Sequence, residues 1–333
     1  VDVWKDFSVE EFQLRRRQYL NADGELQTPL PAAISDQASL ISLYRAMVST
    51  RAFDAKAVSL QRTGRLGTFA SSLGQEAVSV GTASAMGEKD ILLPSYRETG
   101  ALLLRGVRPV ELLLYWGGDE RGSNFGLARR DFPISVPVGS QAAHAAGVAY
   151  AFQLRNQSNV AVCMMGDGAT SKGDVYEALN FAGIWKLPVV FVISNNQWAI
   201  SVPVNKQTST TTLAQKAISA GIYSEQIDGN DVIAVWASVE DAISMARRGK
   251  GASFIEAVTY RLSDHTTADD SSRYRSDEDV SQHWKLEPIS RLRNYLVRNN
   301  LWGKQMEEDL ANEVRIEVEA SVAKFLEFGA PRP

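Results

Sequence analysis

From residue 36 to about 62, apolar side chains recur at helical spacing: Leu40, Ile41, Leu43, Tyr44, Met47, Val48, Ala55 and Val58, with Ser35 or Asp36 placed to cap the first turn. The pattern predicts a long amphipathic helix. Before it, residues 1–35 mix charged and apolar groups and end in Pro29-Leu-Pro31, as an extended arm lying on another surface would. Beyond residue 87 the period changes. Strand-like apolar runs at 90–93, 160–165, 189–193 and 253–259 alternate with helical stretches near 141–155, 173–186, 209–220 and 231–248. Such alternation predicts an α/β fold, a mostly parallel sheet with helices on both faces. From residue 277 on, two charged amphipathic helices broken near 299–303 read as a packing or docking region. Three parts follow: an arm (1–35), an α/β domain (36–275) and a helical extension (276–333).

Composition narrows the partners. The chain has 333 residues, 44% of them apolar, enough for a sizeable core. Its 39 acidic and 35 basic side chains leave a net charge of -4, which gives no electrostatic reason to bind nucleic acid or an anionic membrane. No apolar run approaches the roughly 18 residues of a membrane span. The first residues, Val1-Asp-Val-Trp-Lys-Asp6, carry neither a basic nor an apolar leader pattern, so a protein of the cell interior is expected, whether or not a precursor segment was trimmed. The single cysteine, Cys163, lies in an apolar run and reads as a buried thiol in a reducing compartment.

The chemistry concentrates in Val160-Ala-Val-Cys-Met-Met-Gly-Asp-Gly-Ala-Thr-Ser171, a strand entering a glycine turn. A helix and a second strand follow, ending in Asn195-Asn196. Asp167 and Asn196 therefore sit just past the carboxyl ends of two strands, about one βαβ unit apart, and a right-handed crossover brings them to one sheet edge. A carboxylate and an amide oxygen converging there suit a hard divalent cation, magnesium or calcium, with positions left for phosphate oxygens. Gly166 and Gly168 let the backbone come close, and the next helix offers free amides to an anion. A dinucleotide fingerprint fails, because Ser171 stands where GxGxxG needs glycine and Asp167 would repel an unshielded pyrophosphate.

These residues carry a resemblance. GDG followed by NN resembles the magnesium and thiamine diphosphate motif, and 166–183 through Ile200-Ser201 is similar to the α subunit of the decarboxylating first component of 2-oxo acid dehydrogenase complexes. Gly64-Arg-Leu-Gly67, Gly74-Gln-Glu-Ala77, Leu93-Pro-Ser-Tyr-Arg-Glu98, Gly139-Ser-Gln141, Ile227-Asp-Gly-Asn-Asp231 and the stretches 208–221 and 260–276 extend the likeness over about residues 36–300. The resemblance implies a thiamine-diphosphate-binding fold with Mg2+ held by Asp167, Asn196 and the Trp198 carbonyl. It implies that Tyr96 and Arg97 bind the diphosphate, that Gly166, Gly168 and Ala169 contribute the turn, and that Val136 and Val138 meet the aminopyrimidine. His265, in the long polar loop 261–275, matches the histidine beside the cofactor that assists acyl transfer.

Two departures stand next to that histidine. Thr266 occupies the place of a regulatory phosphoserine in mammalian members, and Asp264 is a carboxylate able to raise the basicity of His265 if the two meet. His144, on a small-residue helix, is expected to pack against a partner helix, and His283 to lie on the surface.

Thiamine diphosphate also needs a carboxylate against its pyrimidine ring, which in this family comes from a second chain or domain. The resemblance thus implies a β subunit in a heterotetramer of two α and two β chains, a lipoyl-bearing acyltransferase and a small 2-oxo acid substrate. Residues 180–208 and 212–217 are similar to the bacterial pyruvate type; 266–275 and 289–293 resemble the branched-chain type. Pyruvate is the first reading, the branched-chain acid the second and acetoin the third, with a non-catalytic docking subunit as the alternative of another class. The location implied is the bacterial cytoplasm, or the mitochondrial matrix in a eukaryote.

Overall fold

The computed structural model describes residues 13–328. The arm contributes a short strand, β1 (Arg15–Arg17), and the helix expected behind it is α1 (Gln37–Arg62). Asp36 caps α1 by accepting the Ser39 main-chain N–H at 2.9 Å. Leu40, Leu43, Tyr44, Met47 and Phe53 form its buried stripe. Next come α2 (Glu76–Ala85), β2 (Ile91–Leu93), α3 (Thr99–Leu104), α4 (Pro109–Trp116), α5 (Ser140–Leu154), β3 (Ala161–Gly166), α6 (Gly173–Ile184) and β4 (Val189–Asn195). A small hairpin of β5 (Trp198–Ala199) and β6 (Val202–Pro203) and a single turn, α7 (Val204–Gln207), lead to β7 (Tyr223–Asp228), α8 (Val232–Arg247) and β8 (Ser253–Val258). Three helices close the chain: α9 (Asp277–Trp284), α10 (Pro288–Arg298) and α11 (Lys304–Glu327).

Six strands form one sheet in the order β1-β7-β8-β4-β3-β2, parallel throughout. The period of two along each strand sorts the core into two layers. Ala161, Cys163, Met165, Val189, Phe191, Ile193 and Phe254 join the layer with α5 and α6, while Val162, Met164, Val190, Val192, Ile255 and Ala257 join that with α1, α2 and α8. Each fully buried Val, Ile or Phe contributes roughly 1.5–3 kcal/mol. Cys163 lies in the layer with α5 and α6, buried and unpaired as expected.

The connections explain the faces. The steps β2 to β3 to β4 to β7 all move the same way across the sheet, and α5 and α6, which lead into β3 and β4, lie on one side; β7 to β8 steps back, and α8 lies on the other. A uniform crossover hand requires this. All the strands point the same way, so every carboxyl end opens on one edge, the place where such sheets bind ligands.

Three expectations need correction. The stretch 209–220 is helical only over Leu213–Ala220, as tight 3-10 turns. The C-terminal extension holds three helices, because Glu287 accepts the Ile289 and Ser290 N–H groups and Pro288 starts a new helix. The break near 299–303 stands, between α10 and α11. His283 is not free on the surface: its ring stacks on Tyr260 with centroids 3.6 Å apart. No helix among the described residues is long and apolar enough to cross a membrane.

Candidate functional site

At the carboxyl edge lies a cavity of about 240 Å3 lined by groups spread along the α/β domain, from Gln75 to His265. Ser95, Tyr96, Arg97 and Glu98 reach it from behind β2, Asp167, Gly168 and Ala169 from β3, and Asn196 and Trp198 from β4, with His265 from the loop after β8. Val138, Gly139 and Gly166 complete much of the wall. Of the residues expected to hold the cofactor or metal, Val136 alone lies outside this wall, 52% exposed. A larger groove of about 1030 Å3 shares Gln197 and Trp198 with this edge, yet contains none of Asp167, Asn196, Arg97 or His265.

Local structure fixes the two turns. Asp167 opens a 3-10 turn, Asp167–Ser171, and Lys216 clamps that turn by donating to the Thr170 carbonyl and hydroxyl, both at 2.9 Å. A Cβ on Gly168 would stand 2.8 Å from Ala199 Cβ, so only glycine lets the turn meet the hairpin. On Gly166 a Cβ would meet nothing within 4 Å. The second turn rests on Asn195, whose Nδ2 donates to buried Glu256 at 2.7 Å and whose Oδ1 accepts from Gln197 N at 3.2 Å. Beyond it Gln197 and Ile200 take positive φ, 73° and 55°, an unusual cost for a β-branched residue beside a ligand cavity.

Asp167 is almost fully buried, and its Oδ2 accepts Gln207 Nε2 at 2.8 Å. Burial pushes its carboxyl up, against the Gln207 donor, nearby Arg261 and the Asn196 main-chain N–H, which favour the charge. A carboxylate so placed calls for a cation. Asn196 Oδ1 faces the Trp198 N–H at 3.2 Å, and the Trp198 carbonyl receives Arg261 Nη1 at 3.4 Å. No cluster of three or more His, Cys, Asp or Glu poised around a metal occurs among the described residues. A cation here therefore needs the amide and carbonyl oxygens and the oxygens of a ligand, a hard donor set that suits magnesium.

Two buried polar atoms on the wall, Gln75 Nε2 and Gln141 Oε1, have no partner. Gln141 Nε2 is committed to the Met164 carbonyl at 3.0 Å. Unmet donors and acceptors in a buried cavity cost about 1–3 kcal/mol each, so the cavity is built to be filled by something polar. The residues thus fit a metal-bound anion.

His265 sits under two guanidinium groups. Arg97 Nη2 and Arg261 Nη1 both lie 3.3 Å from its Nδ1, and Arg97 also donates to the His265 carbonyl at 2.9 Å and to the Ser71 carbonyl. Nδ1 facing two obligate donors must be the acceptor, which leaves the proton on Nε2. Burial and then the charges of Arg97 and Arg261 lower the imidazole to about 4, with Asp269 opposing. Asp264 does not act on the ring: its Oδ1 accepts the Ser271 N–H and hydroxyl, closing the loop instead. Asp269 takes the His265 N–H at 2.9 Å and the Tyr274 hydroxyl. The expected titration follows. In the unliganded chain the ring stays neutral down to about pH 4, rather than 6.5. Because the folded value is depressed, the stability tied to the neutral ring is complete above 6.5 and is lost as pH falls toward 4. Ring 15N shifts followed against pH check this; a midpoint near 6.5 would contradict the two-guanidinium geometry.

His144 is exposed on α5, its ring 6.0 Å from that of Phe132. Sequence reasoning missed Gln75, Gln141, Gln207 and Arg261 as site residues. All four lay inside quoted stretches, but only tertiary contact gives them a role.

A parallel sheet with an acidic turn, an amide turn and a basic wall at one edge defines an anion- and cation-binding α/β enzyme domain. Residues 44–332 match the family model of the dehydrogenase E1 component, and the chain belongs to that family. It is similar to the 3-methyl-2-oxobutanoate dehydrogenase subunit alpha of Mycobacterium tuberculosis, 46% identical over 87% of this chain and 78% of that protein. It is also similar to the pyruvate dehydrogenase E1 component subunit alpha of Acholeplasma laidlawii, 42% identical over 88% and 85%, and of Bacillus subtilis, 37% identical over 97% and 88%. The chain is thus an α subunit of a 2-oxo acid dehydrogenase, and membership implies dependence on thiamine diphosphate and a β-subunit partner.

Proposed function

We propose that this chain forms the cofactor-binding half of a pyruvate dehydrogenase, working in the bacterial cytoplasm, or the mitochondrial matrix of a eukaryote, as a heterotetramer of two α and two β chains. The observation that carries the reading is the meeting of Asp167 and Asn196, from adjacent parallel strands, with Tyr96, Arg97 and His265 around one cavity. Asp167, Asn196 Oδ1 and the Trp198 carbonyl would hold Mg2+. Arg97, with Tyr96 beneath it at 5.4 Å, would face the diphosphate, while Gly168 and Ala169 leave the turn amides accessible. Val138 would meet the aminopyrimidine, with Val136 beside it. When bound, thiamine diphosphate supplies the carbon nucleophile and the electron sink for loss of carbon dioxide. His265, neutral with its proton on Nε2, would offer a hydrogen-bond donor at the cavity wall to the acyl group destined for a lipoyl carrier.

The partner surface has its own support. Tyr150 and Leu154 of α5 and Phe181, Ile184 and Trp185 at the end of α6 are all exposed. Trp185 stacks on Tyr150 at 5.1 Å and on Phe181 at 5.3 Å. An aromatic patch of this kind favours a permanent protein partner.

The branched-chain acid is the second reading, favoured by the 46% identity to the mycobacterial subunit against 42% to the acholeplasmal one. One methylene changes discrimination by only about 1–3 kcal/mol. Decarboxylation by the reconstituted complex, comparing pyruvate with 3-methyl-2-oxobutanoate, tests the choice. A higher kcat/KM for pyruvate is expected; the reverse order would assign the branched-chain role.

A further inference from the structure

The orientation of one side chain in the wall can be derived step by step. A main-chain N–H can only donate, so the contact from Trp198 N at 3.2 Å fixes the near atom of the Asn196 amide as Oδ1. Its Nδ2 then points the other way and donates to Gln75 Oε1 at 3.0 Å. Ser194 Oγ stands 3.5 Å from the same Oε1. With Oε1 committed, Gln75 Nε2 is the end left over. It is buried, it has no partner, and its residue lines the cavity beside Asn196.

The backbone holds this glutamine rigidly. Gln75 is 3% exposed and stands at the first position before α2, with no side-chain bond to the helix N-terminus. Gly74 before it has φ +90°, where a Cβ would stand 2.5 Å from the Tyr260 carbonyl, so the turn is pressed against the end of β8. Thr259 Oγ1 donates to the Gly74 carbonyl at 2.9 Å, and Gln75 N to the Ser72 carbonyl at 2.9 Å. A glutamine fixed this firmly, with one end on a predicted metal ligand and the other unpaired in the cavity, has two tasks.

We propose that Gln75 is a positioning residue for the Asn196 amide, holding Oδ1 toward the cation, and that its Nε2 donates directly to a phosphate oxygen of the bound cofactor. The inference rests on the reading of the cavity as a magnesium and diphosphate site. Partners that orient a metal ligand are worth roughly 10–100-fold in affinity.

Calorimetric titration of thiamine diphosphate into the α/β complex at fixed Mg2+ tests it, beside the melting temperature of each unliganded complex. Gln75→Leu removes both contacts and is expected to weaken binding by about 10–100-fold. Gln75→Glu keeps the acceptor for Asn196 but loses the donor and adds charge beside the phosphate; it is expected to weaken binding at least tenfold and to keep its melting temperature. Wild-type affinity in Gln75→Glu, or in a folded Gln75→Leu, overturns the proposal. If the unaltered complex itself fails to bind, the functional reading falls and takes this inference with it.

Discussion

Asp167→Asn is expected to weaken magnesium-dependent binding of thiamine diphosphate to the α/β complex by about 100-fold or more, while the unliganded chain melts at the same temperature or higher. The two signs come from one carboxylate. Without a cation, Asp167 is a nearly fully buried charge whose one side-chain hydrogen bond comes from neutral Gln207 at 2.8 Å. Burying a charge with so little compensation is costly, and the isosteric amide removes that cost. The Lys216 clamp on Thr170 does not involve the carboxylate, so the turn keeps its shape in the variant. With the cation, the same substitution removes the charged member of a three-oxygen set in which the other members are neutral. Even outer partners of a metal ligand are worth roughly 10–100-fold, so the ligand itself is worth more. Titration calorimetry and a thermal melt of the same preparations read both signs. Unchanged affinity in Asp167→Asn would detach the acidic turn from the cofactor.

What the chain disclosed beforehand follows from where burial is two-sided. β3 and β4 are buried on both faces, so Val160 to Met165 and Val189 to Ile193 read as continuous apolar runs. β7, Tyr-Ser-Glu-Gln-Ile-Asp, was not legible because its pattern mixes exposed, half-buried and buried positions. β1 is three arginines, and nothing in Arg15–Arg17 says strand; its place depends on distant charges, Arg17 pairing with Asp241 at 2.7 Å and lying 3.5 Å from Glu225. The arm's next residues are held by Asp231, which accepts the Tyr19 and Leu20 N–H groups.

The site divides the same way. Asp167 and Asn196 announced themselves as a pair: either turn alone is ordinary at a strand end, and the βαβ spacing brings the two to one edge. Gln75 and Asn196 are 121 positions apart and Arg97 and His265 are 168 apart. No local pattern encodes those meetings. Asp264 illustrates the reverse error: adjacency in sequence suggested a contact with the His265 ring, whereas the loop turns the carboxylate to Ser271 and brings Asp269 to the His265 main chain.

Arg261→Met is expected to raise the titration midpoint of His265 from about 4 toward 6.5 and to expose the loop 261–275 to protease. Arg261 is fully buried. Its Nη2 donates to the Ile200 carbonyl and the Tyr274 hydroxyl, both at 2.8 Å, and its Nη1 lies 3.4 Å from the Trp198 carbonyl and 3.3 Å from the ring of His265. One side chain therefore ties the loop to the β5–β6 hairpin and also keeps the imidazole neutral. Burial, and after it the like charge of Arg97, bring the guanidinium down to about 10. Methionine fills similar volume and relieves that repulsion, so the sheet core should survive. Three carbonyl and hydroxyl groups lose their donor, however, and with them go the loop's ties to the β5–β6 hairpin, while the Asp264–Ser271 and Asp269–Tyr274 ties, the Thr267–Phe69 pairing and the Arg97 and Arg275 contacts to loop carbonyls remain. With one cation gone, protonating His265 becomes easier, so its pH-linked loss of stability still begins near 6.5 but ends at a higher pH and is smaller than in the parent chain. Ring 15N titration reads the first effect and limited proteolysis with mass mapping the second. A loop that stays protected while the midpoint rises would separate the two roles and leave Arg261 purely electrostatic; an unmoved midpoint would place the control of His265 on Arg97 and burial alone.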